Sequence, residues 1–176
     1  MSILQLNEMH QVKIARKEDL EIVLDLLFQA AIWLQSKDTT QWDYYITDLE
    51  GNKEEVLESI KNNSTYIVEE NGKAIATITL EDYPTDWDCD IWGENANDPG
   101  VVYLHRIVVH RDHAGKNIGY KLIEWAKEYV NEKDKKFIRF DCLASNQDLN
   151  NYYQKNYKRK GIANIYGQHS KYEIEV

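Results

Sequence analysis

A short basic segment, HAGKNIG at residues 113–119, joins a run of β-forming residues to a segment with helical periodicity. A helix N-terminus leaves about four backbone N–H groups without intrahelical partners and carries a partial positive charge of about half a unit. Gly115 and Gly119 would let the backbone approach a diphosphate, and Arg111 and Lys116 add positive charge. The segment therefore fits a phosphate-binding loop. Taken alone, it fits an ordinary strand-to-helix turn at least as well.

Charge is distributed unevenly along the chain. The net charge is −9 at pH 7, from 30 acidic and 21 basic residues, which disfavours nucleic acid and anionic membranes as partners. The segment 105–121 nevertheless carries four Lys or Arg residues, three histidines and one acid, whereas 81–98 carries seven acids and no base. Two neighbouring segments of opposite charge suit an anionic cofactor and a cationic second substrate.

Hydrophobic periodicity predicts one α/β domain for the 176 residues, with an irregular, acidic and aromatic insertion at about 81–99. Asn52 and Glu55 form a capping-box pattern at the start of a second helix. Asn71-Gly72 lies between two alternating runs and predicts a type I′ hairpin. The predicted order is βααβββαβαββ, which indicates a mixed sheet. The later elements are a strand at 101–109, a helix at 116–131, a strand at 135–145, a short helix at 146–155 and a closing strand pair.

The two cysteines, Cys89 and Cys142, form neither a disulfide framework nor a metal-ligand pattern, so no metal is predicted. Cys142 lies in the middle of a predicted strand without a neighbouring histidine, which favours a buried structural thiol over an acyl-cysteine intermediate. The N-terminal residues show no signal peptide, and no apolar run approaches the roughly 20 residues of a membrane span. These features predict a cytoplasmic protein.

The segment VVYLHRIVVHRDHAGKNIGYKLIEWA, residues 101–126, resembles the central motif of the Gcn5-related N-acetyltransferases (GNAT family). In that family a strand is followed by Arg/Gln-x-x-Gly-x-Gly/Ala and a helix, and the loop holds the diphosphate of acetyl-coenzyme A. Ala114 and Asn117 replace two signature residues. Backbone N–H groups do most of the binding, and Asn tolerates the left-handed backbone region. The residues that the resemblance implies for diphosphate binding are Ala114, Gly115, Lys116, Asn117, Ile118 and Gly119.

A second segment, FDCLASNQDLNNYYQKNY at residues 140–157, resembles the next motif of the family, Asn-x-x-(small or apolar)-x-x-x-Tyr on a helix. Asn146, Leu149 and Tyr153 occupy the motif positions. The resemblance implies that Asn146 helps to hold the pantetheine arm and that Tyr153 donates a proton to the departing thiolate. Such a positioned acid contributes roughly 10²–10⁴-fold in rate. The alternative for Tyr153 is an aromatic side chain that packs on the sheet.

The resemblance implies direct transfer of an acetyl group from acetyl-coenzyme A to an amine. It implies a mixed, mostly antiparallel sheet of about seven strands with about four helices on both faces. The cofactor is expected where strand 101–109 splays from strand 136–143, with the pantetheine bonded to the backbone of Ile107, Val108 and Val109. His105 and Glu81 are candidates for the base that deprotonates the amine.

The acidic insertion is expected to flank the acceptor, because acids and aromatic rings suit a cationic amine. The alternative is a solvated loop packed by its own tryptophans. Two further functions stay open, a non-catalytic acyl-coenzyme A-binding or regulatory domain and a protein or peptide N-acetyltransferase. Monomer and homodimer are both left open. The acceptor-side candidates are Tyr83, Asp86, Trp87, Asp88, Asp90 and Trp92 in the insertion, and Trp42, Tyr44 and Tyr45 in an earlier loop.

Overall fold

A computed structural model describes residues 4–6, 9–37 and 49–176 of the protein. The chain forms two compact units. The first consists of Met1–Leu80 and His105–Trp125, and the second of Glu81–Leu104 and Ala126–Val176. Trp42, Tyr44 and Tyr45, predicted to flank the acceptor, lie outside the described residues. No helix in the described parts of the chain is long and apolar enough to cross a membrane.

The first unit contains an antiparallel arrangement of strands. Its elements are β1 (Leu4–Gln5), β2 (His10–Ile14), β3 (Thr65–Glu70), β4 (Lys73–Glu81, apart from its last residue), α1 (Leu20–Gln35) and α2 (Leu49–Lys61). The pairs β1–β2, β2–β3 and β3–β4 are all antiparallel. Asn71 and Gly72 have φ angles of 52° and 81° and lie between the paired residues Glu70 and Lys73. The predicted type I′ hairpin is therefore confirmed.

The core of the first unit lies under α1. The apolar residues of α1 recur at helical spacing, so one face of the helix is buried against α2, β3 and the end of a later strand. The core residues contributed by those elements include Val56, Ile60, Ile67 and Val108. Helix α2 begins at Leu49, three residues before Asn52, so the predicted capping box at Asn52 is wrong. The apolar pattern indicated the helix, but its start was misplaced.

The second unit contains a mixed arrangement of strands. Its elements are α3 (Asp86–Trp92), the first four residues of β5 (Val101–Val109), the end of α4 (Ile118–Asn131), β6 (Phe137–Leu143), α5 (Gln147–Gln154), β7 (Arg159–Asn164) and β8 (Gln168–Glu175). Strand β5 runs parallel to β6, with the register Val101↔Phe137 to Tyr103↔Arg139. Strand β6 pairs antiparallel with β8 along its length, and β8 pairs antiparallel with β7.

The predicted fold class is confirmed, because all the strand pairs of both units except β5–β6 are antiparallel. The described residues form eight strands, including the two-residue β1, and five α-helices. The prediction of an irregular insertion is wrong in one respect, since α3 is a regular helix. Thr85 caps its N-terminus in a capping box with Asp88. That box supplies the helix signal, which the high acid content of the segment obscured.

Candidate active site

The loop between β5 and α4 has the backbone of an anion-binding turn. Gly115 and Asn117 have φ angles of 83° and 61°, so two left-handed residues flank Lys116. An atom added at the Cβ position of Gly115 would meet nothing within 4 Å. The φ angle, and not space, therefore requires a glycine there. Ile118 is buried at the first turn of α4, while residues 114–117 are exposed. The N–H groups of this turn are thus presented to solvent on an anchored helix end.

Contacts from two other elements fix the start of this loop. The guanidinium carbon of Arg111 lies 3.8 Å from the ring centroid of Trp33 on α1, and the backbone N–H of Arg111 points at the side-chain oxygen of Gln29, 3.4 Å away. The backbone N–H of His110 donates to the carbonyl of Ile75 at 2.8 Å. The positive charge of Arg111 is therefore held beside the loop by cation–π stacking.

Lys116 is oriented by a neutral histidine. Burial, and secondarily the Lys116 ammonium, lower the pKa of His113 below its usual value, so the imidazole is uncharged at neutral pH. Its Nδ1 lies 3.3 Å from Nζ of Lys116 and can accept a hydrogen bond from that ammonium. The loop therefore carries one positive charge on Lys116 without a second charge on His113.

Asn117 offers a test of the loop backbone. Asn117→Gly is expected to bind acetyl-coenzyme A with an affinity within about threefold of wild type, since glycine adopts a φ near 60° without strain. Asn117→Val is expected to weaken binding by about tenfold or more, because a left-handed β-branched residue costs at least about 1–2 kcal/mol. Isothermal titration with acetyl-coenzyme A measures both. Equal affinities for the two variants would contradict the assigned backbone.

Strand β5 carries a backbone irregularity that the sequence analysis missed. Arg106 has a φ angle of 50°, which is rare in a non-glycine residue within a strand. Its side chain is 8% exposed and lies 3.1 Å from the carboxylate of Glu55 on α2, and it also donates to the hydroxyl of Ser59. Charge-assisted bonds from this largely buried guanidinium thus hold the strained residue. The next three residues, Ile107, Val108 and Val109, are the predicted pantetheine contacts, and Val108 is buried.

The two residues of the second predicted motif lie on α5 in the second unit. Asn146 is the N-cap of α5, and its side-chain oxygen accepts from the N–H of Leu149 at 3.2 Å. Tyr153 is 6% exposed and packs edge-on against Phe140 with 4.8 Å between ring centroids. Burial raises the pKa of Tyr153 well above its usual value. The phenol therefore stays protonated at neutral pH, which is the state that a hydrogen-bond donor requires.

Asn150 ties α5 to the sheet. It is 2% exposed, and its Nδ2 donates to the carbonyls of Leu143 and Asn146 at 3.0 and 2.9 Å. Its Oδ1 accepts from the hydroxyl of Tyr172 at 2.7 Å. Asn150 lies three residues before Tyr153, so helical spacing would have placed both on one face. The sequence analysis used only the family motif and missed it.

Cys142 is a buried thiol. It is 3% exposed, and burial raises its pKa to about 12. Its sulfur lies 3.7 Å from Oδ1 of Asn150. A thiol with so high a pKa is a poor nucleophile at neutral pH, which supports the structural role predicted for it.

The aspartates of the acidic insertion differ in burial and in role. Asp88 is 1% exposed, and its Oδ2 accepts from both the N–H and the hydroxyl of Thr85 at 3.0 Å. Grouping Asp88 with Asp86 and Asp90 as an acceptor-side carboxylate was therefore wrong, because Asp88 caps α3. Asp86 and Asp90 are exposed.

The tryptophans of the insertion pack on β6 and β8, and so the alternative of a loop packed by its own tryptophans is also wrong. The indole Nε1 of Trp87 donates to the carboxylate of Asp141. The Trp92 ring lies under Arg139 and Lys171.

The other predicted residues divide between the two units. His105 lies half-buried on β5 in the first unit, and Glu81 is 4% exposed at the end of β4 in the second. Of the predicted site, residues 107–109 and the loop residues 114–119 belong to the first unit, whereas Asn146 and Tyr153 belong to the second.

Sequence comparison agrees with these features. The sequence model of the acetyltransferase (GNAT) family matches residues 29–163, which is most of the chain. The chain belongs to the GNAT family. This confirms the resemblance of residues 101–126 and 140–157, and the protein is accordingly an N-acetyltransferase.

Individual relatives support the same assignment. The chain is 28% identical over 138 residues to YesJ, an uncharacterized N-acetyltransferase of Bacillus subtilis (strain 168), covering 78% of this chain and 75% of the relative. It is 34% identical over 106 residues to S-(2-succino)cysteine N-acetyltransferase of the same organism, covering 60% of this chain and 58% of that protein. A GNAT-family acetyltransferase from Listeria monocytogenes 4b F2365 matches 99% of this chain and 100% of its own, with 27% identity and a TM-score of 0.80.

Proposed function

We propose that the chain acts as a single domain that transfers an acetyl group from acetyl-coenzyme A to the amino group of a small acceptor. The observation that carries the proposal is the backbone of the β5–α4 loop, with left-handed residues at Gly115 and Asn117 before a helix N-terminus. Several N–H groups and one ammonium, that of Lys116, then converge on a single anion. A diphosphate is the group of acetyl-coenzyme A that such a turn binds best.

In this proposal the remaining site residues act on the other parts of the cofactor. The backbone of Ile107, Val108 and Val109 bonds the pantetheine amides, and Asn146 helps to hold the same arm. A backbone N–H polarises the thioester carbonyl. Tyr153 donates its proton to the departing thiolate, for which its buried and protonated phenol is suited.

A cationic acceptor is supported by the composition of the second unit. The exposed residues Asp86 and Asp90 lie on α3 with Trp87, whose ring stacks on Tyr166 with 5.6 Å between centroids, and Asp90 accepts a hydrogen bond from the Tyr166 hydroxyl. Carboxylates with aromatic faces suit an ammonium group. Asp86→Asn and Asp90→Asn are therefore expected to raise the KM of the acceptor and to leave the KM of acetyl-coenzyme A unchanged.

Thiol release with three classes of amine tests the proposal. The panel contains S-(2-succino)cysteine, on which one relative is named as acting, a polyamine, and a peptide with a free N-terminus. Turnover with either small amine supports the proposal. Turnover with the peptide alone would favour a peptide N-acetyltransferase. Binding of acetyl-coenzyme A without turnover in any arm would contradict the proposed class of acceptor.

A further inference from the structure

Strand β6 presents two chemically different faces within the second unit. Phe140 packs against Tyr153 on one face, and the next residue, Asp141, accepts from the indole of Trp87 on the other. Successive side chains of a strand point to opposite faces. The phenol proposed as the acid thus lies on one face of β6, and a buried carboxylate lies on the opposite face.

Asp141 faces the imidazole of His169, which lies on β8. Oδ2 of Asp141 is 3.5 Å from Nδ1 of His169, and the two side chains are 10% and 8% exposed. The other ring nitrogen, Nε2, lies 3.2 Å from the carbonyl oxygen of Tyr166. Because a carbonyl can only accept, Nε2 carries the hydrogen in the neutral imidazole.

When the imidazole is neutral in this form, no hydrogen lies between Oδ2 of Asp141 and Nδ1 of His169. Nδ1 is buried and makes no hydrogen bond of normal geometry with the part of the chain that the structure describes. At 3.5 Å the contact to Asp141 is longer than a usual N–H···O bond of about 2.7–3.2 Å. Two acceptors therefore face one another, and one added proton would convert them into an ion pair with a charge-assisted hydrogen bond.

Other groups hold the carboxylate in place without filling that position. Nε1 of Trp87 donates to both oxygens of Asp141, at 3.0 and 3.2 Å, and the Trp87 and His169 rings meet edge-on at 4.8 Å. Lys171 is paired with Asp141 across β6 and β8, and its ammonium lies over the Trp92 ring at 5.1 Å.

The turn between β7 and β8 completes the surroundings of His169. The hydroxyl of Tyr166 donates to Asp90 of α3 at 3.2 Å. Among the described contacts, the titratable side chain that faces the imidazole is Asp141. Lys171, Asp90 and the Tyr166 phenol belong to the surrounding residues, which contact Trp92 or one another.

We propose that Asp141 and His169 together accept the proton that the acceptor ammonium must lose before it attacks, an inference that rests on the proposed acetyl transfer. The ammonium gives one proton to the position between Oδ2 and Nδ1. The neutral amine forms the N–C bond to the acetyl carbon while the C–S bond breaks. The thiolate takes a proton from Tyr153, and the second proton lost by the nitrogen restores the phenol. The products are an amide, a thiol and one proton held by the pair.

This assignment predicts the sign of the pH dependence. The Asp141 carboxylate, and then the Tyr166 carbonyl, raise the pKa of His169 above its usual value against the opposing effect of burial. Only the unprotonated pair can accept a proton, so kcat/KM for the acceptor falls as the pH falls through this raised pKa. The acid limb of the profile is therefore expected above the ordinary imidazole pKa of about 6.5.

The pH profile of kcat/KM for the best amine of the panel tests the inference. Asp141→Asn is expected to move the acid limb to lower pH, because it removes the charge that raises the pKa of His169. His169→Gln is expected to abolish the limb and to lower the plateau by about 100-fold or more. The affinity for acetyl-coenzyme A is expected to change by less than about threefold in both, since neither residue belongs to the diphosphate loop.

His10→Gln is the matched control, since it makes the same change at a buried histidine that is paired with a carboxylate, Glu70, at 3.0 Å in the first unit. It should leave the limb in place. NMR titration of the His169 ring in the wild-type protein supplies a readout that does not depend on a variant folding, and a pKa at or below the usual value would contradict the pair.

An acid limb that stays at the wild-type pH in both site variants would overturn the inference while leaving acetyl transfer intact. A wild-type protein that binds acetyl-coenzyme A but acetylates none of the three amines would instead overturn the proposed function, and this inference with it.

Discussion

Replacing Tyr153 with Phe is expected to lower kcat by about 10²–10⁴-fold, the contribution of a positioned general acid. The substitution removes one hydroxyl and keeps the ring, which packs against Phe140 and Tyr172. Folding should therefore be preserved, and the loss should fall on the departure of the thiolate. The affinity for acetyl-coenzyme A should stay within about threefold of wild type, because the removed group acts mainly in the transition state.

Steady-state thiol release at saturating acetyl-coenzyme A measures this effect. Tyr152→Phe is the matched control, since it removes the same hydroxyl from the adjacent position, and its kcat should change by less than about threefold. Burial keeps the pKa of Tyr153 well above its usual value, so Tyr153 itself should add no alkaline limb over the ordinary assay range. Equal kcat values for Tyr153→Phe and wild type would remove Tyr153 from the mechanism.

Asn150→Ala is expected to lower the free energy of unfolding by about 2–4 kcal/mol, because it removes a buried side chain that makes three hydrogen bonds. The groups affected are the Tyr172 hydroxyl and the carbonyls of Leu143 and Asn146. These bonds join the start of α5 to β6 and β8. Since Tyr153 lies on the same helix, kcat should fall as well.

Urea denaturation followed by circular dichroism measures the loss of stability, provided that the m-value is unchanged. Asn151→Ala is the matched control on the same helix. Asn151 is exposed and its side chain accepts only from Gln147 in the described contacts, so the expected change is within about 0.5 kcal/mol. A similar small change for Asn150→Ala would show that the buried network contributes little.

Local patterns predicted the features that depend on residues close together in sequence. The alternating runs around Asn71-Gly72 determine a hairpin because both turn residues need positive φ. Strand 101–109 was predicted with the bounds that β5 has in the structure. Asn117 was expected to accept the left-handed region, and its φ angle is 61°. In each case the feature is determined by residues that are close together in the sequence.

Features that depend on distant residues could not be predicted in this way. The positive φ of Arg106 is held by Glu55 and Ser59, some fifty residues earlier in the chain. Asp141 and His169 meet only because β6 and β8 pair in one particular register. Neither Asp141 nor His169 lies in a local sequence pattern that indicates a catalytic base. The sequence analysis therefore considered His105 and Glu81 instead. Pairing between strands, and not propensity, creates such sites.

The acidic insertion shows how composition can mislead. Seven acids without a base at 81–98 suggested an irregular segment, yet two of its features are standard helix signals. Thr85 and Asp88 form the capping box of α3, and aspartates in the first turn favour the helix dipole. Spacing, in this segment, carried more structural information than net charge.

The most direct test of the account is the ratio of acetylated amine to thiol released from acetyl-coenzyme A, measured by mass spectrometry alongside the thiol assay. For the best amine of the panel, direct transfer predicts a ratio of one to one with the wild-type protein, and a loss of both products together in Tyr153→Phe. Acetyl-coenzyme A that binds without releasing thiol, or thiol release without an acetylated amine, would contradict it.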